Sequence, residues 1–141
     1  MISQALDYAL RSMVYLASHP GNGFSGVREI AEQIEVSRTY LGKILNQLAK
    51  AGYLRSTTGP GGGFALAREP ENITLYEIMT TIDAHENLAD RCLLGLAACS
   101  DENPCPIHTT WKMCRNSLLT EMRRTTLADA LKTSWPFFQK G

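Results

Sequence analysis

From Leu6 onward, Leu6, Ala9, Leu10, Met13, Val14 and Ala17 recur at helical spacing, and the run HPGNG at residues 19–23 ends the pattern. This predicts a first helix. Val27, Ile30, Ala31 and Ile34 repeat the spacing over about two or three turns, with Ser25 as a candidate N-cap. The short link EVS leads to Ser37, a second candidate cap. Beyond it Leu41, Ile44, Leu45 and Leu48 form a third buried stripe, closed by Gly52. Two short helices joined by so tight a turn fit a helix-turn-helix. The second carries Arg38, Thr39, Tyr40, Lys43, Asn46 and Gln47 off its apolar stripe, where they can reach base edges and phosphates.

After Gly52 the segment YLRSTTGPGGGFALA reads as two β-prone pieces around a glycine-rich tip, a hairpin that would form a wing. Arg55, Gly61 and Gly62 are its candidate DNA contacts, the glycines serving equally well to satisfy a tight turn. A phosphate-cradling nucleotide loop is set aside, because the Lys-Ser/Thr pair of a P-loop is missing. From Thr74, Leu75, Ile78, Met79 and Ile82 predict a fourth helix capped by Thr74 or Asn72. Residues 84–106 show no sustained period and exceed the usual length of a structureless loop. Ile107, Trp111, Cys114, Leu118 and Met122 then line one side of a long helix from about His108 to Arg124, a natural dimerisation element. The tail predicts one more short helix, with Trp135, Phe137 and Phe138 covering apolar surface. The fold class is thus mainly α with a small β-hairpin wing: a winged helix-turn-helix over residues 1–83, a cysteine-rich loop over 84–106, and a dimerisation helix with its tail over 107–141.

Charge sharpens this picture. The chain of 141 residues has a formal net charge of zero, yet residues 1–68 carry seven Lys/Arg against four Asp/Glu and residues 69–141 carry seven against ten. Between residues 36 and 68, Arg38, Lys43, Lys50, Arg55 and Arg68 stand with no acid among them, the local asymmetry expected where phosphates are met. No apolar run reaches the roughly 18 residues needed to span a bilayer, and the first residues lack a signal-peptide pattern, so a cytoplasmic location without membrane attachment is expected. In a reducing compartment clustered cysteines are metal ligands or redox sensors more often than disulfides.

The four cysteines all fall between residues 92 and 114, and three are spaced Cys92-x6-Cys99-x5-Cys105. Three soft ligands in a loop with no other evident purpose suit an iron–sulfur cluster or zinc. Those spacings differ from the short Cys-x2-4-Cys knuckles of structural zinc, which favours a cluster. His108, three residues past Cys105, Cys114, at a helical position suited to a small core residue, and Asp7, on the first helix, are candidates for a fourth ligand; spacing does not choose among them. Enzymatic chemistry lacks support: there is no Ser/His/Asp arrangement, dinucleotide fingerprint or carboxylate pair in an evident pocket. A zinc-binding interaction protein is the alternative class.

In combination, DYALRSMVYLA from Asp7, VSRTYLGKILNQLAKAGYL from Val36, GPGGGFAL from Gly59, the three-cysteine loop and TLADAL from Thr126 resemble the Rrf2 family of bacterial winged-helix regulators. The resemblance covers nearly the whole chain. It implies a homodimer crossed through the long helix, the helix beginning SRTY in the major groove of double-stranded operator DNA, and the glycine-rich wing in the minor groove. It further implies an iron–sulfur cluster on Cys92, Cys99 and Cys105 that controls operator affinity, most often for repression. The family divides over the fourth ligand: CPIH resembles the branch in which a histidine completes a [2Fe-2S] site, and DYALR the branch in which an aspartate of the other subunit completes a [4Fe-4S] site. Two departures stand out. The first Cys spacing is six where five is common, and Thr58 stands where an Arg often precedes the wing glycines.

Overall fold

The computed structural model describes residues 3–19, 23–84, 90–95 and 99–133. Among these residues, six α-helices and one hairpin run in the order α1 (Gln4–Ser18), α2 (Val27–Ile34), α3 (Arg38–Lys50), β1 (Leu54–Thr57), β2 (Gly63–Leu66), α4 (Leu75–Ile82), α5 (His108–Arg124) and α6 (Leu127–Lys132). Trp135, Phe137 and Phe138, assigned above to covering apolar surface, lie outside the described residues.

Ser3 caps α1 by accepting the Leu6 N–H, and its own hydroxyl donates to Asp83 at 2.6 Å, which ties the start of α1 to the end of α4. Beyond Leu6 the helix is buried almost all round, from Ala9 to Ala17 with only Arg11 half-exposed. A helix apolar on every side belongs in the middle of a fold. Accordingly α2, α3, α4 and α6 all pack on α1, and β2 touches it. Ser12, fully buried on this helix, satisfies its hydroxyl on the Tyr8 carbonyl at 2.7 Å.

Ser25 does not cap α2. Gly26 occupies that position, and Ser25 instead pairs with Phe64 through both backbone bonds, at 2.9 and 2.8 Å, as an extra strand residue beside β2. A ladder bond on each side fixes the backbone more strongly than one side-chain cap could. The helix stops at Glu35, whose left-handed φ of 58° turns the chain toward α3. Ser37 takes the N-cap position of α3 without a side-chain capping bond, and Gly52, at φ 89°, lies just past its end.

In the hairpin Leu54 pairs with Leu66 and Thr57 with Gly63. Gly63 has φ 147°, and a Cβ there would meet the Ser25 carbonyl oxygen at 2.2 Å. Only glycine fits between wing and helix-turn-helix. The capping boxes Thr74–Glu77 on α4 and Thr126–Asp129 on α6 sit side by side, with the two threonines bridged and Leu75 and Leu127 donating to the Thr125 and Ile73 carbonyls at 2.9 Å. In each, carboxylate and hydroxyl satisfy the reciprocal orphan N–H groups.

The buried flank of α5 is His108, Trp111, Arg115 and Leu119, rotated from the predicted Ile107-Trp111-Cys114-Leu118-Met122 side. Cys114 is exposed rather than a small core residue, and Ile107, Met113 and Leu118 are exposed large apolar side chains. Among the described residues, α5 packs on α4.

Two outcomes are expected. Gly63→Ala should lower stability by about 2 kcal/mol or more through strain and overlap with Ser25. Gly42→Ala, in the interior of α3 with nothing near its added Cβ, should raise stability by about 0.5–1 kcal/mol. Urea unfolding reads both signs. Tyr15 supplies a pH dependence: burial first, then its 2.8 Å hydrogen bond to Glu29 and that carboxylate's charge, push its phenol up from 10.0 to about 12. The folded chain thus favours the protonated phenol. Its contribution is complete below about pH 10, the unfolded value, and lost as pH rises through about 12. Tyr15→Phe should abolish that part of the alkaline fall in stability, read by urea unfolding across alkaline pH.

Candidate DNA-reading surface and cysteine loop

The Leu41, Ile44, Leu45 and Leu48 stripe seats α3 on the core and leaves Arg38, Thr39, Tyr40 and Lys43 exposed together on its first turns. Tyr40 meets Tyr8 of α1 edge-on, at 5.5 Å between ring centroids. The exposed ring is therefore braced from α1, a contact between residues 32 positions apart that no local pattern reveals. Gln47, one of the polar residues off the stripe, is committed elsewhere: its amide donates to the Thr81 carbonyl of α4 at 2.9 Å.

On the wing, Arg55 is exposed on β1, with its guanidinium 5.8 Å from the centroid of the Phe24 ring. Gly61 lies at the open tip with φ 75° and no atom within 4 Å of an added Cβ. Gly62 is enclosed instead: its N–H donates to the Gly59 carbonyl, and a Cβ would meet the Thr57 oxygen at 2.7 Å. Turn geometry explains that glycine. Arg68 also serves the fold, lying 4.7 Å from the Tyr53 ring centroid and 3.7 Å from a Glu77 carboxylate oxygen.

The cysteine loop is pinned to α5 by Trp111, whose indole N–H donates to the Arg91 carbonyl at 2.7 Å. The next residue, Cys92, is buried, and Gly95 turns the chain at φ 90° with its N–H on the Cys92 carbonyl. Cys99 Sγ lies 3.3 Å from His108 Nδ1. His108 begins α5 but is only 8% exposed, and its Nε2 is 2.6 Å from Asp101 Oδ1. A carboxylate only accepts, so the Nε2 proton points at Asp101 and Nδ1 is turned toward the sulfur. Lys112 holds both Asp101 oxygens, at 3.1 and 3.0 Å. The His108 hydrogen bond first, and Lys112 after it, hold the Asp101 carboxyl below the usual carboxylate range.

Cys105 is half-buried, and its carbonyl accepts the His108 N–H at 3.0 Å. Asp7 forms an ion pair with Arg11 on its own helix at 3.0 Å. Among the described residues, no three His, Cys, Asp or Glu side chains are gathered as a metal site. The structure thus joins Cys99 to His108 and leaves Cys92, Cys105 and Asp7 outside that pair. The donor set nevertheless fits a thiophilic metal group, since soft thiols are accompanied by an imidazole whose far nitrogen is fixed by a carboxylate, the usual support of a ligating histidine. Asp101 was not marked by the sequence pattern; its place seven residues before a candidate ligand was the available signal.

Residues 2–133 match the Rrf2 family, described as iron-dependent transcriptional regulator. An HTH-type transcriptional regulator of Aquifex aeolicus (strain VF5) is 34% identical over 134 residues, spanning 93% of this chain and 91% of that protein. Among solved structures, CymR (YrzC), the global cysteine regulator of B. subtilis, superposes with a TM-score of 0.79 at 25% identity, covering 94% of this chain and 96% of CymR. IscR of T. potens superposes with a TM-score of 0.72 at 29% identity, covering 94% and 86%. The family and the A. aeolicus protein are both described as transcriptional regulators. With a family match over nearly its whole length and the same helical fold with its hairpin, this chain belongs to the Rrf2 family of transcriptional regulators.

Proposed function

We propose that the chain is a homodimeric, cytoplasmic, operator-binding regulator, a repressor in the common mode of its family, whose DNA affinity is set by an iron–sulfur cluster on Cys92, Cys99, Cys105 and His108. The observation that carries this reading is the alignment of Cys99 Sγ, His108 and Asp101, at 3.3 and 2.6 Å on the two ring nitrogens. It favours His108 over Asp7, and with a histidine ligand a [2Fe-2S] site over [4Fe-4S]. Bound, the cluster would supply a redox- and iron-dependent signal.

The chain's own residues supply the coupling. Loop closure acts on α5 through the Trp111–Arg91 bond, α5 packs on α4, and α4 holds α3 through Thr81 and Gln47. Arg38, Thr39, Tyr40 and Lys43 then read and anchor the major groove, while Arg55 and the wing tip at Gly61 approach the minor groove. Linkage requires that a signal which favours the DNA-competent state be favoured by DNA in return, and about 1–3 kcal/mol of coupling gives a roughly 5- to 150-fold switch. The exposed Ile107, Met113 and Leu118 of α5 suit a second copy of the chain. Among the described residues no helix is long and apolar enough to cross a membrane.

Metal analysis and visible absorbance of anaerobically purified protein test the cofactor; a colourless chain holding stoichiometric zinc would overturn the sensor. His108→Ala should alter the cluster spectrum and weaken cluster retention, while Asp7→Ala should leave both nearly unchanged. The reverse result would assign the fourth ligand to Asp7 of the other subunit. Lys43→Ala should weaken operator binding about tenfold and reduce the slope of log affinity against log salt by about one. Unchanged binding in alanine variants of all four α3 residues would place recognition elsewhere.

A further inference from the structure

Arg115 is 7% exposed, and among the described residues its Nε and Nη1 have no hydrogen-bond partner. An uncompensated buried charge is strongly destabilising, so this guanidinium requires a physical account. It stands one turn after Trp111 and two turns after His108 on the same buried flank of α5. That flank carries the cysteine loop, through the Trp111 bond to Arg91 and the Cys99–His108 contact. Of the described acids, Asp101 is engaged by His108 and Lys112, Glu77 by its capping box and Arg68, and Asp83 by Ser3.

We infer that Arg115 is the counter-charge for the thiolates of Cys92, Cys99 and Cys105, an inference that rests on the cluster reading above. Three thiolates around a doubly positive iron–sulfur core leave a net negative charge, and one-electron reduction deepens it. A cation held in a low-dielectric interior beside that charge favours the loaded chain over the empty one and the reduced form over the oxidised one. In the empty chain the same cation is a source of instability. Arg115 therefore acts by charge and not as a ligand.

The test uses the full chain, reconstituted anaerobically with ferrous iron and sulfide, as wild type, Arg115→Met and Arg115→Lys. Without iron, Arg115→Met should melt at a higher temperature than wild type, because an unpaired buried charge is gone. With iron and sulfide, its midpoint potential should shift downward and its visible absorbance should decay several-fold faster in chelator. Arg115→Lys should restore both loaded-state properties. Arg115→Gln, neutral but polar, repeats the test if the Met variant does not fold. A loaded wild type matched by the neutral variants in potential and chelation rate would overturn the role of Arg115 while leaving the cluster reading intact. A wild type that takes up no chromophore would instead overturn the cluster reading, and this role with it.

Discussion

The burial of α1 on nearly every side is the constraint on which the other elements depend. Leu6, Ala9, Met13 and Val14 are within 2% of complete burial, and four helices take their positions from that one rod. Each large side chain so buried contributes about 1.5–3 kcal/mol of transfer free energy. Small residues matter as much: Ala9 and Ser12 bring no bulk to the helix surface, which permits close approach by a neighbour, and Ser12 does so without an unsatisfied hydroxyl. Seated this way, α3 has no freedom to bury its polar face, and Arg38 to Lys43 remain in solvent because the opposite stripe is already committed.

Polarity in the second half of the chain is arranged differently. The paired capping boxes of α4 and α6 satisfy two helix ends at once and close the fold behind the wing. Beyond them, the described part of the cysteine loop leaves Leu93 and Leu94 exposed. Cys92 and Trp111 bury what is available, while the Asp101, His108 and Lys112 network fixes one end of the loop by charge and hydrogen bonding. A charged network in partial contact with water orients side chains well but adds little stability.

Helix positions were legible because periodicity is a local property, and the ends of α4 and α5 followed from Thr74 and from the start at His108. Features that depend on a distant partner were not. Ser25 looks like a cap until Phe64 pairs with it, Gln47 looks like a base reader until Thr81 accepts its amide, and Cys114 looks like core until α5 turns its His108, Trp111, Arg115 and Leu119 side inward. Of the candidate ligands, spacing could not rank His108 against Asp7. Their surroundings differ in a way that intervals do not carry: Asp101 turns the His108 imidazole toward Cys99, while Asp7 is paired with Arg11.

The pairing of Ser25 with Phe64, closed over Gly63, means that the wing and the start of α2 share one piece of backbone hydrogen bonding. That shared bonding ties the hairpin to the helix-turn-helix. A duplex engaging both α3 and the wing would have to bring its adjacent grooves to their spacing, and any mismatch would fall on the DNA as bending or groove compression. Base steps the protein never touched would then enter the selectivity through their stiffness.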